Sequence, residues 1–291
     1  MNTARRLTLA LLSLATLSAC GKTAVPGAAL PTLKTSVPSV SVQGVERKLG
    51  FDMNRYKTTF SRGAHPTRVP RQGMLPAHVD NRASCAPIYD QGQLGSCTGF
   101  AIAKGLREFI QRTGHEAQVP LSAMFLYYEE RVLQDTVGED SGATMTAGLQ
   151  VLQEKGVAPD SAWPYNIPQF KVKPSQAAYD AAGANKVHSA TQVKGLDDVK
   201  TVVAKGGAVA IGFQVYQSFM KIGADGVMPM PKPTERVVGG HAVLIVGYDD
   251  AKKAVLVRNS WGTKWGQEGY FWMPYAFVAD ENNADDFWTA D

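Results

Sequence analysis

The stretch QGQLGSCTGFA, residues 91 to 101, places one cysteine between a glycine-rich turn and an apolar run. Apolar residues recur at the spacing i, i+4, i+7 and i+8, namely Ile102, Leu106, Phe109 and Ile110. This spacing predicts one buried face of a helix that ends at Gly114. Cys97 then lies in the first turn, where unpaired backbone N–H groups and the helix dipole favour a thiolate. Gly92 and Gly95 predict a sharp turn that leaves the sulfur at a surface.

Other roles for Cys97 stay open at this point. A free cysteine is often a small buried hydrophobe. The chain has three cysteines, so a disulfide with Cys85 is a second alternative. A metal site is disfavoured, because the sequence has no Cys-x-x-Cys and no clustered pair of histidines. No cofactor or metal is therefore expected.

A nucleophilic sulfur needs a base, and five histidines are present. His241, in VGGHAVLIVGYDD, stands at the predicted head of a strand over Ala242 to Val246. His65 lies in the N-terminal segment; the remaining three, His78, His115 and His188, lie in polar, loop-like surroundings. His241 is accordingly the candidate base, although it could equally be a structural histidine.

The segment AVLVRNSWGTKWGQEGYFW supplies a possible partner for His241. It predicts a second strand, followed by Asn259 and Trp261, and the turn DDAKKA separates the two strands. An antiparallel meander would bring Asn259 close to His241. A carboxamide oxygen can accept the imidazole N–H, and Trp261 can shield that hydrogen bond from water.

Three blocks together, QGQLGSCTGFA, GHAVLIVGY and VRNSWGTKWGQEGYFWM, resemble the active-site blocks of the papain-like cysteine peptidases. The separation of Cys97 and His241 (241 − 97 = 144 residues) is that of the family's cysteine and histidine. The resemblance covers roughly residues 75 to 280. It implies that Cys97 is the nucleophile, His241 the base, Asn259 the residue that orients the imidazole, and Trp261 its shield. It also implies that Gln91 contributes to the oxyanion hole.

The resemblance further implies an α+β fold with two lobes and an active cleft between them. A helical lobe over residues 76 to 184 and a β-rich lobe over residues 185 to 291 are expected. Gly142 and Ala242 are expected to line the substrate cleft. The expected activity is hydrolysis of peptide bonds in a polypeptide substrate by a monomeric enzyme, through a pair of Cys97 thiolate and His241 imidazolium and an acyl-enzyme thioester.

Two positions depart from the family's cysteine motif. Leu94 stands where the motif has an upstream cysteine, and the cleft-wall segment GEDSGATM also lacks its usual cysteine. The disulfide that normally joins them is therefore absent. Thr98 replaces the aromatic residue that usually follows the nucleophile, which predicts a less apolar cleft. Cys85 is left as an unpaired thiol that is expected to be buried.

The first 19 residues have the layout of a signal peptide. Arg5 and Arg6 precede a 13-residue apolar run from Leu7 to Ala19, which is too short to span a bilayer. The sequence LSAC resembles a bacterial lipobox, which implies a lipid on Cys20. The chain is then an exported, membrane-anchored lipoprotein that faces the periplasm or the cell exterior.

Residues 20 to 75 are rich in Pro, Ser, Val and Gly in their first part and show no helical period. They predict a tether, or a pro-segment that would make the chain a zymogen.

Three alternatives use the same sequence features. An acyltransferase or transpeptidase would resolve the thioester with an amine instead of water. A non-catalytic, lipid-anchored binding domain would use the scaffold alone, and a cell-wall peptidase differs only in its substrate. Nucleic acid is not expected as a partner, because the formal charge is only +4 and no basic block is present.

Overall fold

The computed structural model describes residues 37–52 and 73–291. The predicted signal peptide, the lipidation site Cys20 and the remainder of the N-terminal segment lie outside the described residues. Among the described residues, none of the helices is long and apolar enough to cross a membrane.

The predicted helix after Cys97 is confirmed as one continuous helical stretch. It consists of α1 (Cys97–Gly99), a π-helical segment (Phe100–Arg107) and α2 (Glu108–Thr113). It ends at Gly114, whose backbone N–H donates to the carbonyl of Ile110. The apolar face lies in the core, with Ile102, Leu106 and Phe109 at most 2% exposed.

Five further helices are described. They are α3 (Ala123–Leu133), α4 (Met145–Glu154), α5 (Gln176–Ala182), α6 (Gly195–Ala204) and α7 (Tyr275–Val278). The first three begin at Ser122, Thr144 and Ser175, whose side chains accept hydrogen bonds from backbone N–H groups of the first turn. Such N-caps satisfy donors that have no partner within the helix.

Seven strands form one antiparallel sheet. They are β3 (His78–Asp80), β4 (Ala190–Gln192), β5 (Val209–Tyr216), β6 (Val237–Asp249), β7 (Ala254–Arg258), β8 (Tyr270–Pro274) and β9 (Ala284–Ala290). The order is β4-β9-β5-β6-β7-β8, and β3 pairs with β6. The predicted antiparallel turn between β6 and β7 is confirmed.

The two faces of the sheet belong to different hydrophobic clusters. Ala210 and Ala242 pack in the cluster that contains the Cys97 helix, whereas Ile211 and Val243 pack in a second cluster with α6 and α7. This alternation follows from the period of two along a strand. Helices packed on a mostly antiparallel sheet confirm the α+β fold class.

The start of β6 differs from its predicted position. The strand begins at Val237, four residues before His241, so His241 lies inside the strand and not at its head. The reason is that Gly239 and Gly240 continue the pairing with β5, opposite Val215 and Gln214.

The N-terminal segment forms a hairpin of β1 (Ser39–Val42) and β2 (Val45–Lys48), followed by an extended stretch to Asp52. Leu49 and Phe51 of this stretch are 1% and 4% exposed. These described residues of the segment therefore pack against the domain.

Candidate active site

His241 lies on β6, Asn259 directly follows the neighbouring strand β7, and the two side chains are hydrogen-bonded. The distance between His241 Nε2 and Asn259 Oδ1 is 2.8 Å, and both residues are buried. The backbone N–H of Ser260 also donates to Asn259 Oδ1, at 2.8 Å. A carboxamide oxygen has no hydrogen and can only accept, so the hydrogen of this bond is carried by His241 Nε2. In the neutral imidazole, Nδ1 is then unprotonated.

Trp261 covers this pair as expected. Its ring centroid lies 4.9 Å from that of His241 with an interplanar angle of 30°, and Trp261 is 2% exposed. Phe213 packs against the imidazole from another side, with ring centroids 5.7 Å apart. The hydrogen bond between His241 and Asn259 is thus enclosed by aromatic rings, in surroundings of low dielectric that strengthen it.

Cys97 lies beside His241. The backbone N–H of Ala242, the residue after His241, faces the Cys97 sulfur and acts to lower its pKa. His241 Nδ1 is buried and has no hydrogen-bond partner among the described residues. The structure therefore brings Cys97, His241 and Asn259 together, as the sequence predicts.

Gln91 is held next to this group by a residue that the sequence analysis missed. Ser260 Oγ donates to Gln91 Oε1 at 2.7 Å, and the backbone N–H of Gln91 donates to the carbonyl of Ser260 at 2.9 Å. The carboxamide therefore has a fixed orientation, with Nε2 as its remaining donor group. The position of Ser260 between Asn259 and Trp261 was the only sequence signal for this contact.

The extended part of the N-terminal segment passes over Cys97. Gln91 Nε2 donates to the carbonyl of Lys48 at 3.2 Å, and the backbone N–H of Gly50 faces the Cys97 sulfur. Further along, the N–H of Ala143 donates to the carbonyl of Gly50 at 2.8 Å, and the N–H of Phe51 to that of Gly240 at 3.0 Å. The segment is therefore bound on both sides of the cleft.

Two glycines make this close approach possible. A Cβ at Gly50 would lie 1.8 Å from the carbonyl oxygen of Gly95, and one at Gly142 would lie 2.0 Å from the carbonyl oxygen of Gly50. Gly142 also has a φ of +70°, which favours glycine. Gly142 thus lies at the part of the cleft that the segment occupies.

Phe51 fills an apolar pocket. A Cβ at Gly212 would lie 2.0 Å from the Phe51 ring, so the absence of a side chain there creates the space. Ala242, the other expected cleft residue, pairs with Gly212 across the sheet and belongs to the same hydrophobic cluster as Phe51.

Two ion pairs flank the segment. The guanidinium of Arg47 contacts both carboxylate oxygens of Asp90 and donates to the carbonyl of Trp261 at 3.2 Å. Lys48 Nζ donates to Asp140 Oδ2 at 2.9 Å. Asp90 belongs to the loop that leads to Cys97, and Asp140 belongs to the loop at the wall of the cleft.

The expected surface position of the Cys97 sulfur is wrong, because the residue is fully buried under the segment. Burial raises the pKa of Cys97 to about 12, although the N–H groups of Ala242 and Gly50 act in the opposite direction. Burial likewise lowers the pKa of His241 to about 4. With the segment in place, the sulfur and the imidazole are therefore both neutral at pH 7.

The expectation for Thr98 is also wrong. Thr98 is fully buried, and its Oγ1 donates to Glu130 Oε2 at 2.6 Å inside the helical region. Its hydroxyl therefore does not make the cleft more polar. Cys85 is a free, half-buried thiol whose pKa is raised by burial.

The sequence pattern described as "Papain family cysteine protease" matches residues 75–283. An uncharacterized peptidase C1-like protein of Acanthamoeba polyphaga mimivirus is 41% identical over 211 residues, which is 68% of this chain and 68% of that protein. Mouse cathepsin K is 28% identical over 222 residues, covering 73% of this chain and 63% of that protein.

Solved structures of cysteine proteases are similar to this chain. Xylellain, a cysteine protease from Xylella fastidiosa, has a TM-score of 0.75 and 31% identity, covering 89% of this chain and 98% of that one. A cysteine protease from Carica candamarcensis has a TM-score of 0.57 at 23% identity, covering 74% of this chain and 98% of that one, and shows the shared fold. The fold and the site define a thiol-dependent hydrolase. The chain belongs to the papain family of cysteine proteases.

Proposed function

We propose that the chain hydrolyses peptide bonds with Cys97 as nucleophile and His241 as its base. The observation that carries this assignment is the hydrogen bond from His241 Nε2 to Asn259 Oδ1, which leaves Nδ1 as the free acceptor on the ring. Nδ1 takes the thiol proton, and the sulfur attacks the substrate's carbonyl carbon. Trp261 excludes water from the hydrogen bond that holds the imidazole.

The developing negative oxygen is held by Gln91 Nε2 and the backbone N–H of Cys97. When the C–N bond breaks, His241 returns its proton to the leaving amine, and the acyl group stays on the sulfur as a thioester. A water molecule then attacks the thioester carbon while His241 takes its proton. The C–S bond then breaks, His241 returns this proton to the sulfur, and release of the acid restores the thiol, so atoms and charges balance over the cycle.

Substitution of the nucleophile tests this assignment. Cys97→Ala is expected to abolish cleavage of an unfolded protein substrate and covalent labelling by an epoxide-type thiol inhibitor. Cys85→Ala, which removes the other described thiol, is the matched control and is expected to retain both. Cleavage by Cys97→Ala at the wild-type rate would contradict the assignment of Cys97 as the nucleophile.

We further propose that the N-terminal segment is an inhibitory pro-segment whose residues 48 to 52 block the active site, so that the full chain is a zymogen. Support comes from the carbonyl of Lys48 on Gln91 Nε2, where a substrate carbonyl would be held. The segment pairs in parallel with both walls, with Gly50 opposite Gly240 and Phe51 opposite Ala143. The group that faces the sulfur is the backbone N–H of Gly50. The sulfur cannot attack this nitrogen, because it is not an electrophile.

Gly50→Ala tests the inhibitory role. The added Cβ would overlap the Gly95 carbonyl, which costs about 1–3 kcal/mol in a close-packed contact and favours release of the segment. The initial peptidase rate of the full chain is expected to rise about tenfold. Ser41→Ala, an exposed change in the same hairpin, is the control. Equal initial rates for Gly50→Ala and wild type would identify the segment as a tether only.

We also propose that the chain is exported and anchored in a membrane by a lipid on Cys20. The basic start at Arg5 and Arg6, the 13-residue apolar run and the sequence LSAC support this. Metabolic labelling with an alkyne fatty acid is expected to mark the wild type and not Cys20→Ser. Equal labelling of both forms would exclude Cys20 as the acceptor.

A further inference from the structure

Asp140 is held rigidly at the edge of the cleft. Its Oδ1 accepts from the backbone N–H of Gly95 at 3.0 Å and from the hydroxyl of Tyr127 at 2.6 Å. Its side chain is 8% exposed. The carboxylate therefore keeps a defined position two residues from Gly142 and beside the loop that leads into Cys97.

The remaining oxygen of this carboxylate binds a cation from the N-terminal segment. Lys48 Nζ lies 2.9 Å from Asp140 Oδ2, while the carbonyl of the same lysine accepts from Gln91 Nε2. One residue thus places its carbonyl in the proposed oxyanion site and its ammonium group on Asp140. The carboxylate lies within reach of a lysine side chain from that site.

The other cation near Asp140 does not bind it. The guanidinium of Arg131 lies over the ring of Tyr127 at 4.2 Å and donates to the backbone carbonyls of Val137, Glu139 and Phe170. Among the described residues, Lys48 alone forms an ion pair with Asp140. When the segment leaves, the carboxylate loses this counter-ion while Oδ1 keeps its bonds to Gly95 and Tyr127, so Oδ2 is open to another cation at the same place.

We propose that Asp140 forms a subsite for a basic side chain, lysine or arginine, on the substrate residue whose carbonyl is attacked. This rests on the proposed role of Gln91 in holding that carbonyl. The ammonium or guanidinium group replaces that of Lys48 on Asp140 Oδ2, while Oδ1 keeps its bonds to Gly95 and Tyr127. Asp140 is thus a specificity-determining residue that also fastens the cysteine loop to the cleft wall.

A competition assay tests the subsite. Two peptides that differ only in lysine or norleucine at this position are mixed with the full-length enzyme, and both products are quantified by mass spectrometry. The ratio of their consumption equals the ratio of the two kcat/KM values and does not depend on how many molecules have released the segment. Wild type is expected to prefer lysine about tenfold, because the lysine ammonium group and the Asp140 carboxylate form a charge-assisted hydrogen bond.

Asp140→Asn keeps an oxygen acceptor for Gly95 and removes the charge, so the ratio is expected to fall to about one. Glu139→Gln removes the same charge from the neighbouring exposed residue and is expected to keep the wild-type ratio. An equal ratio in wild type and Asp140→Asn, or no preference in wild type, would overturn the subsite. Cleavage of either peptide by Cys97→Ala would instead overturn the proposed catalytic assignment, so the two failures are distinguishable.

Discussion

The imidazole of His241 and the carboxamide of Asn259 are joined by a 2.8 Å hydrogen bond that decides which ring nitrogen carries the proton. Since Asn259 Oδ1 also accepts from the backbone N–H of Ser260, the amide presents its oxygen to the ring. The protein thus sets the tautomer of its base before any substrate arrives.

Loss of this hydrogen bond is expected to lower activity without removing the nucleophile. Asn259→Ala allows the imidazole to rotate and to change tautomer, so kcat/KM is expected to fall about 10²-fold. Asn259→Asp keeps the acceptor and is expected to retain more activity than the alanine variant. Asn282→Ala, at an exposed position, is the control in the same peptidase assay. Equal losses in both Asn259 variants would show that the acceptor is not what matters.

The side chains of Ser260 and Gln91 are joined by a hydrogen bond whose contribution to catalysis can be measured. Ser260 Oγ fixes the Gln91 carboxamide, whereas Gln91 Nε2 is the proposed oxyanion donor. Gln91→Ala is expected to reduce kcat about 10²-fold with little change in KM, because the charge develops only in the transition state. Ser260→Ala is expected to reduce kcat less, about fivefold, since the donor remains and only its orientation is freed. A rise in KM with constant kcat in both variants would argue against an oxyanion role.

Much of this site could be predicted from the sequence, because its main residues lie in short contiguous motifs. Cys97, His241 and Asn259 each lie in a contiguous block whose glycines, strand residues or tryptophan indicate a turn, a strand or a lid. The antiparallel turn between β6 and β7 then brings two of these blocks together. Such signals need no knowledge of distant contacts.

The cover over Cys97 could not be predicted in the same way. Gly50 and Gly95 meet backbone to backbone, so the contact leaves no apolar pattern or charge pair in the sequence. The side chain of Ser260 acts on Gln91, and that of Asp140 binds Gly95 and Lys48, all of which lie far away in the chain. The sequence therefore predicts an exposed sulfur, whereas the segment buries it.

Release of the segment is expected to change the titration of Cys97. Phe51→Ala removes the ring that fills the space at Gly212 and so weakens the cover. With less burial, the pKa of the thiol falls from about 12, and a larger fraction is thiolate at pH 7.

Alkylation of Cys97 by iodoacetamide, followed across pH by peptide mass spectrometry, measures this change. The rate for wild type is expected to rise steadily up to high pH, whereas the rate for Phe51→Ala reaches its plateau at a lower pH. Val45→Ala, which truncates a half-exposed side chain of the hairpin, is the control and is expected to follow wild type. Identical profiles for Phe51→Ala and wild type would contradict the assigned effect of the cover.

Glu130 makes the stability of the fold depend on pH. Its carboxyl is fully buried, and burial raises its pKa from 4.5 to about 8, although the hydrogen bond from Thr98 and the charge of Arg131 act in the opposite direction. Below pH 4.5 the carboxyl is protonated in the folded and in the unfolded chain. Between about pH 4.5 and 8 only the folded chain keeps the proton, so the free energy of unfolding falls as the pH rises.

Glu130→Gln removes this titration while keeping an acceptor for the Thr98 hydroxyl. The stability difference, variant minus wild type, is therefore expected to grow in favour of the variant by on the order of 4 kcal/mol between pH 4.5 and 8. Urea unfolding at several pH values measures it, and contributions from other buried carboxyls cancel in the difference. Glu154→Gln, at an exposed site, should show no such trend. A difference that stays constant across this range would mean that Glu130 is ionised in the folded protein at neutral pH.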